Sequence, residues 1–177
     1  VSKKVTIRKA RKEECQTLGE LLVEVYAGID GFPKPDEQPA YYQMLRNIGQ
    51  FADKPSTDLI VAVSETGELL GGVVYFDDMK YYGSGGTATQ EKNAAGFRLL
   101  GVSPKSRGMG LGKLLTQECI SRARDSGLEQ VIIHTTKSMA GAWKMYEKLG
   151  FERSEDLDFV QGDLEVFGFR YKFSDDD

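Results

Sequence analysis

The sequence predicts an α/β fold, a mixed and mostly antiparallel sheet of about seven strands flanked by about four helices. Three observations predict it. Two apolar runs, 57–64 and 69–76, are joined by Glu65-Thr66-Gly67-Glu68, which reads as a hairpin turn. Apolar residues recur at helical spacing over 13–26 and 110–125. An apolar run at 96–102, a glycine-rich turn, a helix and a second apolar run at 131–135 follow in that order. Strand, helix, strand gives a right-handed crossover between parallel neighbours.

Taken in order, Val5 and Ile7 alternate with polar residues, which predicts a strand over 4–9. Leu18, Leu21, Leu22, Val25 and Tyr26 form one stripe of a helix over 13–26. Two glycines and three prolines then predict a loop over 28–39, followed by a second helix over 41–51. Residues 77–95 are irregular and long for a strand connection, a kind of loop that often lines a binding site. The helix over 110–125 stops at Gly127. A fourth helix spans 139–149 and ends at Gly150. Phe151 onward and 164–173 predict a closing antiparallel pair.

The length of 177 residues suits one domain, 1–177, with 173–177 as an acidic tail. A net charge of −4 argues against a nucleic-acid partner, whose binders carry a basic face. No apolar run approaches the roughly 20 residues of a membrane span, and the first residues lack the apolar core of a signal peptide. A cytoplasmic protein is expected, with Cys15 and Cys119 as reduced, buried thiols. One histidine and two dispersed cysteines make no zinc-type ligand set.

The chemistry concentrates at 102–115, V-S-P-K-S-R-G-M-G-L-G-K-L-L. Gly108, Gly110 and Gly112 let the backbone approach a ligand and take positive φ without a Cβ penalty. The free N–H groups and positive dipole end of the following helix hold anions. Arg107 and Lys113 add charge. The stretch Arg107–Lys113 therefore reads as a phosphate or pyrophosphate cradle. It is not a mononucleotide P-loop, since Arg107 replaces the first glycine and Leu114 replaces the hydroxyl after the lysine. Nor is it a dinucleotide fingerprint, since Lys113 holds the third glycine position.

Arg-x-x-Gly-x-Gly, preceded by L-L-G-V-S-P and followed by L-G-K-L-L, resembles the pyrophosphate loop of the GNAT superfamily of acetyl-CoA-dependent N-acetyltransferases. Ala142 to Phe151, A-W-K-M-Y-E-K-L-G-F, resembles that family's second motif, with Tyr146 39 residues after Arg107. The resemblance implies a GNAT-like sheet whose parallel fourth and fifth strands splay apart, with acetyl-CoA as cofactor. It implies main-chain contacts from Leu100, Gly101 and Val102. It also implies a cofactor loop of Arg107, Gly108, Met109, Gly110, Leu111, Gly112 and Lys113, and further contacts from Ser138 and Trp143.

The implied reaction is direct acetyl transfer to a primary amine of a small molecule or protein. Tyr146 is the acid expected to serve the departing thiolate. Many relatives carry a glutamate where this chain has Gly96, so the base is left open among Glu91, Asp77, Asp78, His134 and water; His134 has the pKa for it. Met139 stands where many relatives have an asparagine that touches pantetheine. For the acceptor, Tyr26, Asp30, Phe32, Tyr75, Asp77, Tyr81 and Tyr82 are the candidates, since aromatic walls with an aspartate suit a cationic amine. The expected partners are acetyl-CoA and the amine, with no nucleic acid, membrane or metal; a homodimer is left open. The alternatives are a degenerate acyl-CoA-binding sensor, and an enzyme that uses a longer acyl-CoA or transfers to a hydroxyl.

Overall fold

A computed structural model describes residues 4–174. Of the expected acidic tail, 175–177 lie outside the described residues. The chain groups into two compact units. One comprises the residues up to Val74 with Leu99–Glu118; the other comprises Tyr75–Arg98 and the residues from Cys119 onward.

In the first unit, β1 (Val5–Lys9) lies antiparallel to β2 (Thr57–Ser64), with Val5 opposite Ser64 and Lys9 opposite Ile60. Next come β3 (Leu69–Phe76) and β4 (Ala94–Val102). Leu59 to Val63 are buried without a break, so both faces of β2 are covered. The hairpin turn forms as expected: Gly67 takes φ +86° and its N–H donates to the Ser64 carbonyl.

Helix α1 (Cys15–Ala27) follows a single 3-10 turn at Lys12–Glu14. Its stripe of Leu18, Leu22, Val25 and Tyr26 is buried. Its carboxyl end is capped by Lys34, whose ammonium donates to the carbonyls of Ala27 and Ile29 at 3.0 and 2.6 Å. Helix α2 covers Pro39–Arg46, earlier and shorter than the helix expected over 41–51. Proline suits the first helical position, where its missing N–H costs no bond. At Asn47 the backbone leaves helical geometry (φ −96°, ψ 34°), and Ile48–Asp53 continues as 3-10 turns. The two helices meet so closely that a Cβ on Gly19 would stand 2.3 Å from the Arg46 carbonyl oxygen.

Arg8 holds Glu14 through paired bonds of 2.8 and 2.9 Å, and Glu14 also accepts the Arg11 N–H at 2.7 Å. The Arg8 bond is the main cause that lowers the Glu14 carboxyl from its ordinary 4.5 to about 2. The sign follows from linkage. The contribution is present above the unfolded value near 4.5 and is lost as pH falls toward 2. Glu14→Gln is therefore expected to flatten the loss of stability between about pH 4.5 and 2, as read from urea midpoints at each pH. Parallel curves for the two proteins would contradict the pairing.

In the second unit, the start of β4 runs parallel to β5 (Gln130–Thr135), with Ala94 opposite Gln130 and Gly96 opposite Ile132. β5 pairs antiparallel with β8 (Leu164–Lys172). β8 also carries β6 (Glu152–Arg153) and β7 (Phe159–Gln161). The expected closing pair is thus three strands, and the described strands number eight. β4 begins at Ala94, two residues earlier than expected. The loop after β3 contains 3-10 turns at Met79–Tyr81 and Ala88–Gln90. It is anchored by buried Met79, Tyr82 and Ala88.

Helix α3 (Leu111–Asp125) starts in the first unit and ends in the second. Helix α4 (Ala140–Leu149) stops at Gly150, which takes φ +111°. The fold is mixed α/β, with a parallel β4–β5 pair and four α-helices among the described residues. Cys119 is buried, but Cys15 is only half-buried, at the exposed start of α1.

Candidate functional site

The glycine-rich turn between β4 and α3 has its backbone groups open. Gly108 and Gly110 take φ of +87° and +73°, and a Cβ on either would meet nothing within 4 Å. The Ser103 N–H donates to the Leu70 carbonyl at 2.7 Å and fixes the start of the turn on β3. Lys105 pairs with Glu68. The Met109 N–H donates to the Ser106 carbonyl at 3.4 Å. Among the described residues, the N–H groups of Gly108, Gly110, Leu111, Gly112 and Lys113 have no acceptor; the helix ladder begins with Leu114 donating to Gly110. Five unbonded donors at a helix amino terminus are a ready anion site. Arg107 and Lys113 are both exposed beside them. The residues present thus fit a diphosphate.

Just upstream, β4 is broken by Leu99, which takes φ +60°, a conformation a leucine rarely adopts. Such a break re-aims the strand's N–H and C=O groups. The Tyr26 hydroxyl donates to the Leu100 carbonyl at 2.9 Å. Gly101 is packed so closely that a Cβ there would lie 2.7 Å from Leu22. Tyr26 therefore serves α1-to-strand packing. Its ring and Phe32 stand 5.5 Å apart, and both side chains are buried.

In the second unit, Tyr146 on α4 lies in a cluster with Phe97 and Phe151, ring centroids 6.0 and 5.6 Å away. It is 5% exposed. Burial pushes its phenol above the ordinary 10. Its hydroxyl makes no hydrogen bond among the described residues, so its proton is uncommitted. Ser138 shares a 2.6 Å hydrogen bond with Thr136. Trp143 packs edge-on against Phe167 and Phe169 at 5.3 and 4.9 Å.

The base candidates are placed differently from expectation. The Leu157 carbonyl lies 2.8 Å from His134 Nε2, and a carbonyl can only accept, so Nε2 carries the proton. Nδ1 then accepts from the Tyr82 hydroxyl at 2.9 Å. Burial lowers the imidazole pKa, which keeps the ring neutral. With both nitrogens so bonded, the base role expected of His134 would require the Tyr82 bond to be given up first. Glu91 is likewise committed, to Arg170, which also binds Asp156, Gln130 and Ser154. Asp78 caps its own turn by accepting the Lys80 N–H, and Asp77 is exposed.

The aromatic acceptor candidates lie at different depths. Tyr75 and Tyr82 are 2% and 0% exposed and belong to the core rather than to a surface wall. Tyr81 is half-buried and Asp30 exposed. Tyr82 explains the glycine at 96: a Cβ there would stand 2.8 Å from both the Tyr82 ring and Met79 Sδ. The tyrosine thus fills the space a side chain on β4 would need. Sequence reasoning did not foresee the Tyr82–His134 bond or the Arg170 clamp, and the bulge that the family resemblance implies where the fourth and fifth strands splay apart was not assigned to Leu99. None has a local signature, and each joins residues far apart in sequence or contradicts a residue's usual preference.

The model of the acetyltransferase (GNAT) family matches residues 15–151, a span that contains the cradle, the break in β4 and Tyr146. The chain belongs to the GNAT family. Among curated proteins it resembles the mycothiol acetyltransferase of Saccharomonospora viridis, 45% identical over 65 residues, 36% of this chain and 21% of that protein. It also resembles that of Salinispora tropica, 35% identical over 105 residues, 57% of this chain and 32% of that protein. The GNAT chain thus spans about a fifth to a third of these relatives. Among solved structures, a GNAT-family acetyltransferase from Staphylococcus aureus Mu50 superposes with a TM-score of 0.69 at 16% identity, covering 97% of this chain and 100% of that one. The PaiA N-acetyltransferase of Thermoplasma acidophilum, solved with coenzyme A, superposes at 0.71 and 17% identity, covering 96% and 99%. At such identities these likenesses show the GNAT fold. No helix among the described residues is long and apolar enough to cross a membrane.

Proposed function

We propose that this GNAT chain transfers the acetyl group of acetyl-CoA to a primary amine, with Tyr146 as the acid at the sulfur. Bound acetyl-CoA supplies an activated thioester: a C–N bond forms as the C–S bond breaks, one proton leaves the amine and one reaches the sulfur. The observation that carries the reading is the set of unbonded amides at Gly108 and from Gly110 to Lys113, beside the family match. Those amides, with Arg107 and Lys113, are the groups that would hold the diphosphate. The similarity to a mycothiol acetyltransferase and to the PaiA N-acetyltransferase supports acetyl transfer.

Tyr146 suits its role because a phenol raised by burial stays protonated at working pH. Full transfer to a thiolate from so weak an acid is uphill, so its first contribution is a hydrogen bond to the charge as it develops. With His134 and Glu91 committed elsewhere, the amine loses its proton to water. The test is coenzyme A release against a panel of amines, with the product identified by mass. Acetylated amine, and a rate that climbs with pH toward the amine's own pKa near 10, are expected. Tight acetyl-CoA binding with no thiol release for any amine would overturn the reading in favour of a sensor.

A further inference from the structure

We infer that Arg98 binds a carboxylate carried by the acceptor, so that the amine acetylated belongs to an amino acid or to another molecule bearing both groups. This rests on the amine-acetylating reading above. Arg98 is half-buried on β4, in the residue directly before the break at Leu99. A charge withdrawn from water needs a partner of opposite sign. Arg8, Arg153 and Arg170, also half-buried, meet that need with Glu14, Asp158, and Glu91 with Asp156. Arg98 has no such partner: no ion pair to it occurs among the described residues.

Its guanidinium is nonetheless held in place. Nη1 donates to the Tyr82 carbonyl at 3.0 Å, and the group lies 5.9 Å from the Tyr82 ring centroid. Gly83, at φ +75°, lets the backbone pass so close that a Cβ there would stand 3.2 Å from Nη1. One of five N–H donors is used as a tether and the rest of the fork is left over. A planar fork fixed at one corner is suited to a carboxylate, which it can bind through two parallel bonds. The same cation helps keep the neighbouring His134 neutral. The strand that would carry the reaction thus presents a cation, with no acid at Gly96. A purely cationic amine would be repelled there, whereas an amine with a carboxylate would be attracted.

The experiment compares the full chain's kcat/KM for paired acceptors that differ only in charge. The probes are the common α-amino acids and unbranched ω-amino acids of increasing chain length, each beside its primary amide. The acids are expected to exceed their amides by about tenfold or more, as a charge-assisted bond implies. Arg98→Gln is expected to collapse that acid-to-amide ratio toward one, and Arg98→Lys to restore part of it. The ratio is taken within each variant, so general damage to the fold cancels. Amides used as well as acids by the wild-type chain, or a ratio that survives Arg98→Gln, would overturn the inference while leaving amine acetylation standing. No turnover of any amine by a chain that binds acetyl-CoA would overturn the amine reading and this inference with it.

Discussion

Gly110→Val is expected to raise the dissociation constant for acetyl-CoA by about two to three orders of magnitude while leaving the fold intact. The φ of +73° at Gly110 costs a β-branched residue about 1–3 kcal/mol. Relief of that strain turns the peptide and takes at least one N–H out of the cradle, a loss of about 1.5–3 kcal/mol for a bond to a charged group. The two together are about 2.5–6 kcal/mol, centred near 4, and about 1.4 kcal/mol is a factor of ten. The fold is spared because nothing packs within 4 Å of the added Cβ. Calorimetric titration with acetyl-CoA and the circular dichroism spectrum check both halves. Undiminished affinity in a folded variant would show that this turn does not carry the cofactor.

Tyr146→Phe should produce the other large effect, a fall in kcat of about a hundredfold with the affinity for acetyl-CoA little changed. The hydroxyl has no partner among the described residues, so its removal breaks no internal bond. The ring, which packs on Phe97 and Phe151, is retained. Stability should therefore stay near that of the parent, as thermal unfolding would show. Single-turnover measurements would separate the chemical step from product release. A variant at full speed would remove Tyr146 from the mechanism and leave it a core aromatic.

Which features were legible in the sequence follows from how local their physics is. The glycine-rich turn was legible because glycines at alternate positions before a helix have few other uses, and Gly108 and Gly110 do take positive φ. The hairpin at Glu65–Glu68, α3 and α4 were legible for the same reason: periodicity and a stop signal lie within one short stretch. The second helix was misplaced because Pro39 was read as loop, although proline is at home in a first turn. The break at Leu99 was hidden by a residue type that signals ordinary strand. His134 could be read as a base by its intrinsic pKa alone. Its partners, Tyr82 and Leu157, lie 52 and 23 residues away, and no local pattern announces them. Gly96 looked like a missing catalytic acid in the sequence. In the folded chain it is the glycine that the Tyr82 ring requires.

The central claim is that the amides from Gly108 to Lys113 hold the diphosphate of the cofactor. Backbone amide chemical shifts, followed by NMR through parallel titrations with coenzyme A and with pantetheine, which lacks the diphosphate, test it most directly. Large shifts at Gly108, Gly110 and Gly112 with coenzyme A, and small ones with pantetheine, are predicted. Saturation by coenzyme A with those three amides unmoved would contradict it.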